Sequence, residues 1–275
     1  MQLDALLKQP QALPTVPAIV AELIDSFSQE EVSIDALVQK IALDPVLSAR
    51  VLRLANSAYY HVSRSIGTVD DALVMLGFVT VRTLVISSGL TSAYKSLPGI
   101  DLPRFWRHSL HTAAVAAWIA SRVGVNRDQA FTVGLMHALG ELVMHAGMPE
   151  RMAELDRVTS PMDPLRLDIE ANALGYHHAD VGAELARQWH FPETFCNALA
   201  RYPAPLSAAS FDPAAGVLHL ACWRTRGDYL GWRADQLADT LSLEVCQALG
   251  LDAAVLLVEM PPPAELSSGL DALLG

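Results

Sequence analysis

Apolar residues recur with helical spacing through most of the chain. Ile19, Val20, Leu23, Ile24 and Phe27 fall on one stripe, as positions three and four apart on a helix do. Ile34, Leu37, Val38 and Ile41 make a second stripe, with Ser33 placed to cap it. Asp44-Pro45 opens a third, because aspartate accepts from the free N–H groups of a first turn and proline is tolerated there. Its stripe is Leu47, Val51, Leu54 and Ala58. Thr68 with Asp71 resembles a capping box, Gly77 suits a helix end, and Thr80 is expected to open the next helix through Val85 and Leu90. Pro98, Gly99 and Pro103 cluster between Ser96 and Pro103, the best internal boundary. Beyond it, one helix is expected from Pro103 to about Gly124, and another from Asn126, with Gln129 three residues on, to about Gly147.

The same punctuation predicts helices from Asp163-Pro164 to Gly175, and over Ala179–Trp189, Pro192–Arg201, Asp212–Arg224 and Leu243–Leu249. Val255–Met260 fits a strand or a short helix, and Pro261-Pro262-Pro263 precedes a last short apolar piece. No other segment suggests a strand, and no repeat of fixed period is visible. The pattern predicts an all-α fold of about a dozen helices, in three parts: residues 1–97, 98–225 and 226–275.

Composition agrees with a large core, since 52% of the 275 residues are hydrophobic and 18% are charged. The charge-free stretches Thr83–Tyr94 and Ser109–Ser121 fall short of the ~20 apolar residues that a membrane span needs. No basic segment followed by an apolar run opens the chain, so a cytoplasmic location is expected. Cys196, Cys222 and Cys246 lie too far apart for a zinc or redox motif and read as buried thiols. The net charge of −11 argues against nucleic acid and anionic membrane as partners. Residues 40–107 are the exception, with eight bases against four acids.

The chemistry on offer is mostly imidazole. His108 and His111 lie three apart on the helix after Pro103; His137, Glu141 and His145 lie four apart on the next, on one face of a continuous helix. His177 and His178 follow Gly175. Imidazole and carboxylate groups converging from separate helices can hold a metal ion. The 137–141–145 spacing nevertheless differs from the two-histidine zinc helix, and phosphate-loop, nucleophile-elbow and dinucleotide motifs are absent.

Several ordered segments resemble the HDOD domain family. They are "LPTVPAIVAEL" (13–23), "IALDPVLSARVLRLANSAYY" (41–60), "IGTVDDALVMLGFVTVRTLVI" (66–86), "FWRHSLHTAAVAAWIA" (105–120), "GLMHALGELVMH" (134–145) and "HADVGAELARQWHFPE" (178–193). The resemblance spans about residues 13–224. It implies an all-α, HD-like helical bundle with an N-terminal helical subdomain, serving bacterial signalling and related to metal-dependent HD phosphohydrolases. By that likeness His108, His137 and His178 stand at metal-ligand positions. Ala138 stands where the aspartate of the His-Asp pair would be, Arg201 and Tyr202 where a histidine pair would be, and Cys222 where the last aspartate would be.

An alanine methyl donates nothing to a metal, and loss of both aspartates removes two charges from a divalent ion's shell. The chain is therefore expected not to be an enzyme, and to need no metal or other cofactor. The expected role is a regulatory module binding another signalling protein. Arg50, Arg53, Asn56, Tyr59 and Tyr60 are candidate contacts, since arginine and tyrosine are favoured at binding hot spots. Two alternatives stand beside it. One is a pocket near His108, His137, His178 and Arg201 that holds a nucleotide or other phosphate. The other is residual metal-dependent hydrolysis with His137, Glu141 and His145 as ligands. The oligomeric state and the identity of any partner are not encoded in these patterns.

Overall fold

A computed structural model describes residues 2–13, 16–27 and 33–270. Pro14 and Thr15 of the first family-like segment, and residues 271–275 of the apolar tail, lie outside them. The N-terminal part contains α1 (Leu3–Leu6), α2 (Ala18–Asp25), α3 (Ile34–Leu43), α4 (Pro45–Ala55), α5 (Val69–Leu76) and α6 (Phe78–Ser92). The caps sit where the side chains can make them. Ser33 Oγ accepts from the Ala36 N–H, the Asp44 carboxylate from Val46 and Leu47, and Thr68 Oγ1 from Asp71. The stripes on α2, α3 and α4 bury Val20, Leu23, Ile24, Leu37, Val38, Ile41, Leu47, Val51 and Leu54.

Two local expectations need correction. Ala58 is exposed and lies past the end of α4 at Ala55. Thr80 does not open a helix but lies inside α6, which follows directly on Gly77. Gly77, at φ +81°, closes α5 and opens α6 in a conformation that only glycine adopts without cost. Helix α6 is buried over most of its length and runs through the N-terminal part, packing on α2, α4 and α5 and on α8 beyond.

The central part holds α7 (Leu102–Val123), α8 (Arg127–Met136), α9 (Leu139–Gly147), α10 (Pro149–Val158), α11 (Arg166–Leu174), α12 (His178–Gln188), α13 (Glu193–Arg201) and α14 (Pro213–Tyr229). The single helix expected from Asn126 to Gly147 is two helices, broken at His137–Ala138. Helix α10, unexpected from sequence, buries only Met152 and Leu155, too few apolar positions to register as a stripe. Helix α14 runs on to Tyr229 because Thr225 and Gly227 are buried, although the segment reads as polar.

The C-terminal part holds α15 (Ala234–Thr240), α16 (Leu243–Ala248), α17 (Ala253–Glu259) and α18 (Pro263–Leu266). Residues 255–259 are helical, with Asp252 capping α17, and no strand occurs among the described residues.

One apolar core runs from Leu6 to Leu270 and includes side chains on both sides of the 97–98 boundary. A second covers the other face of α7, joining Val115, Ile119 and Ala120 to Val217, Leu220 and Ala221 of α14 and to Val245, Cys246 and Leu256. Helix α7 therefore stands between two cores. Gly269, near the last described residue, lies against the N-terminal part, where a methyl on it would meet the Ala58 nitrogen at 2.9 Å.

Candidate functional site

The positions that the resemblance compares with a metal site line one cavity. His108 arrives on α7, His137 and Ala138 at the α8–α9 break, Glu141 on α9, Arg166 on α11 and His178 at the first turn of α12. Tyr202 just after α13 and Cys222 and Arg226 on α14 close the set. They surround a cavity of about 30 Å³. That is room for one water molecule, far below the ~300 Å³ at which small-molecule pockets begin.

Tight backbone contact between α9 and α12 fixes the arrangement. A Cβ on Gly140 would fall 1.9 Å from the His178 carbonyl oxygen, so only glycine permits this approach. Each histidine is then held by a specific bond. His137 Nδ1 lies 2.7 Å from the Gly134 oxygen, so that nitrogen carries the proton and Nε2 is left as an acceptor. The two nitrogens of His178 contact Glu170 Oε2 at 2.8 Å and the Tyr202 hydroxyl at 3.1 Å. His145 does not face the cavity. Its Nδ1 lies 2.8 Å from the Glu141 carbonyl and its Nε2 2.9 Å from Asp156 Oδ2. Of the expected trio, His137 and Glu141 line the cavity across the break at Ala138, and His145 does not join them because its ring is bonded to the Glu141 carbonyl and to Asp156.

Charge in this region is organised around Arg166. The residue is 1% exposed; its Nε donates to Glu170 Oε1 at 2.7 Å and its Nη1 to the Thr159 oxygen at 2.9 Å. Nη1 also lies 2.9 Å from Asp156 Oδ1. Burial alone would push Glu170 up, but His178 and Arg166 hold its carboxyl at about 2. Burial works against a charge on His178, and the Glu170 carboxylate overcomes it, raising that imidazole above its ordinary value. Burial disfavours charge on three other groups. Burial lowers His137 to about 4 and His108 well below the usual range, and lifts the Cys222 thiol to about 12. Burial also raises Glu141, whose Oε1 has no hydrogen-bond partner among the described residues.

Arg201, expected at this pocket, is not among the residues lining it; Tyr202, Arg166 and Arg226 are. The reason is helical phase, since Arg201 is the last residue of α13 and Tyr202 turns in beyond it. Sequence reasoning missed Arg166, Glu170, Asp156 and Arg226. The i,i+4 pairing of Arg166 with Glu170 was the one available signal. Two larger cavities adjoin the small one. One, of about 300 Å³, is lined by Arg104, Phe105, His108, Glu141 and Tyr229; the other, of about 320 Å³, lies on the side of Cys222 and Arg226.

The candidate partner contacts of the N-terminal part separate into different roles. Arg50 is half-buried and bonded to the Ser88 carbonyl and the Ser92 hydroxyl. The Asn56 side chain donates to the Leu52 and Ile66 carbonyls and accepts from the Ile66 N–H, pinning the loop after α4. Arg53 is exposed. Tyr59 and Tyr60 stack edge to face and, with Trp118, Arg127 and Glu265, line a cavity of about 600 Å³. Among the described residues no group of three or more His, Cys, Asp or Glu side chains is placed to hold a metal ion, and no helix is long and apolar enough to cross a membrane.

The fold defines an all-α, HD-like protein. The model of the HDOD domain matches residues 13–205, and the chain belongs to that family. It is similar over 98% of both chains to a solved structure from Shewanella amazonensis described as a proposed phosphohydrolase, with 34% identity and a TM-score of 0.79. A proposed signal transduction protein from Marinobacter aquaeolei shares the fold at 24% identity and a TM-score of 0.72, over 98% of this chain and 59% of that one. A curated Treponema pallidum protein is 26% identical over 194 residues, covering 68% of this chain. The present chain spans about a third of that protein's length, 37%.

Proposed function

We propose that this chain is a non-catalytic regulatory module that works by binding, with another signalling protein as its partner and no metal cofactor. One observation carries the reading: the cation paired with buried Glu170 and half-buried Asp156 is a guanidinium. Arg166 takes Glu170 and Asp156 as its partners, and Glu170 in turn fixes His178. Those carboxylates are thereby committed to a side chain.

The rest of the donor set does not fit a hydrolytic metal pair. Such a pair needs carboxylate bridges and free imidazole nitrogens around an open position. Ala138 has no donor atom, Cys222 is held as a neutral thiol, and neither ring nitrogen of His178 is free. A second guanidinium, Arg226, lines the same cavity and would repel a divalent ion. The signal-transduction description of the Marinobacter aquaeolei neighbour agrees with a regulatory role. Of the N-terminal candidates, exposed Arg53 and the cavity wall at Tyr59 and Tyr60 remain for a partner; Arg50 and Asn56 are engaged internally.

The test is a phosphomonoesterase and phosphodiesterase assay of purified full-length protein with added manganese, alongside elemental analysis. The expected result is no turnover and no stoichiometric metal. Turnover that disappears in His137→Ala would overturn the reading.

A further inference from the structure

Arg226 is an unpaired charge that opens into two cavities of the HD-like half. It is half-buried on α14 and lines both the 30 Å³ cavity and the adjoining 320 Å³ cavity. The other cations closest to it have acids: Arg166 has Glu170 and Asp156, and Arg224 has Asp228 at 3.9 Å. Half-buried Arg201 lines neither cavity. Arg226 has no hydrogen-bond or ion-pair partner for its guanidinium among the described residues. No carboxylate lines the larger cavity. Glu141 lines the smaller one without pairing to Arg226, and burial favours its neutral form.

A half-buried guanidinium with no carboxylate paired to it is open to an anion that enters the cavity. The other walls indicate what that anion is attached to. Trp223 is fixed by a 3.0 Å bond from its Nε1 to Thr240 Oγ1, and Trp232 stands half-buried on the same cavity. His219 Nδ1 lies 2.9 Å from the Tyr202 carbonyl oxygen, so Nε2 is left as an acceptor for a ligand N–H or O–H. The volume lies at the lower end of the range for small-molecule pockets.

We propose that this cavity binds a small aromatic anion, with its carboxylate or phosphate on Arg226 and its ring along Trp223 and Trp232. The proposal rests on the reading that the HD-like half binds without cleaving. It replaces the expected Arg201 with Arg226 as the anion's partner.

Isothermal titration of the full chain tests it with two anions and their uncharged counterparts: adenosine 5′-monophosphate against adenosine, and indole-3-acetate against indole-3-acetamide. At least one anion is expected to bind, and the phosphate and carboxylate arms distinguish the headgroup. Its neutral counterpart and the Arg226→Gln variant should each bind at least about tenfold more weakly, because hydrogen bonds to a charged group are worth that much. Arg226→Lys should recover part of the loss and Arg201→Gln should bind as wild type. Melting curves of the variants check the fold. Failure of both anions to bind, or unchanged binding by a folded Arg226→Gln, would overturn the proposal. Chromatography of the titrated nucleotide separates the two ideas: cleavage would refute the non-catalytic reading, whereas absent binding with intact nucleotide refutes only the cavity assignment.

Discussion

Replacing Arg166 with methionine keeps much of the side chain's length and removes its charge. The arginine is 1% exposed and Glu170 is fully buried. After the change Glu170 retains its two bonds from His178, but it loses its guanidinium, and Asp156 and the Thr159 carbonyl lose theirs. Removing one member of a buried pair costs about 3–5 kcal/mol, mostly from the charge left behind. The Glu170 carboxyl gives a second route to the size of the effect. Its pKa falls from 4.5 to about 2 in the folded protein, which at about 1.4 kcal/mol per pH unit is on the order of 3 kcal/mol for all its partners together. Urea unfolding at pH 7, followed by far-UV circular dichroism at an unchanged denaturant slope, should show a loss of that size. A carboxyl with a depressed folded-state pKa stabilises the fold above its unfolded value. Wild-type stability from this group should therefore be complete above about pH 4.5 and drain away toward pH 2, and the variant's acid limb should be flatter. Adding Glu170→Gln to Arg166→Met should cost less than the two single losses summed. A loss below about 1 kcal/mol in Arg166→Met, the size of an exposed ion pair, would refute the desolvated network.

Other sites give sharper local tests. In imidazole NMR titrations His178 should lose its proton above the ordinary value near 6.5 and His137 only near 4; the stability that His178 adds should be present in acid and fall as pH rises through its raised pKa. A His178 that titrates below 6.5 would remove Glu170 as its charge partner. Gly140→Ala should destabilise by roughly 1–3 kcal/mol or more, measured by thermal melting, since its methyl would strike the α12 backbone; a neutral effect would contradict the contact. Asn56→Ala should cost roughly 1–3 kcal/mol in urea unfolding through lost bonds to Leu52 and Ile66, and a change in partner binding without any change in stability would return Asn56 to the surface role first expected of it.

Helix existence was readable where a stripe and a cap coincided, as in α3 and α4, where Ser33 and Asp44 accept from first-turn N–H groups; the Asp101 cap of α7, ahead of the expected start at Pro103, was not. It was not readable where burial is polar or sparse. Helix α10 offers two buried apolar residues, and the last turn of α14 is held by Gly227 beneath Trp232 and Leu237. The site shows the same division. The histidines and the missing acids were visible as residue types at matching positions. What balances them depends on pairs that only the fold creates, such as Glu170 reaching His178 and Asp156 reaching His145 across separate helices. The break at Ala138 was illegible because no proline or glycine marks it; close packing of Gly140 on α12, two residues later, accompanies it.

The family pattern ends at residue 205, yet α14 begins at Pro213 and carries Cys222 and Arg226, and α16 and α17 help cover the far side of α7. A fragment cut at the pattern's edge would bare Val115 and Ile119, both fully buried in the whole chain, and would open the histidine cluster to water on the α14 side. The length that the family model matches is thus shorter than the length that shares the two cores. Any minimal version for biophysics has to run through Leu270, the last core residue described.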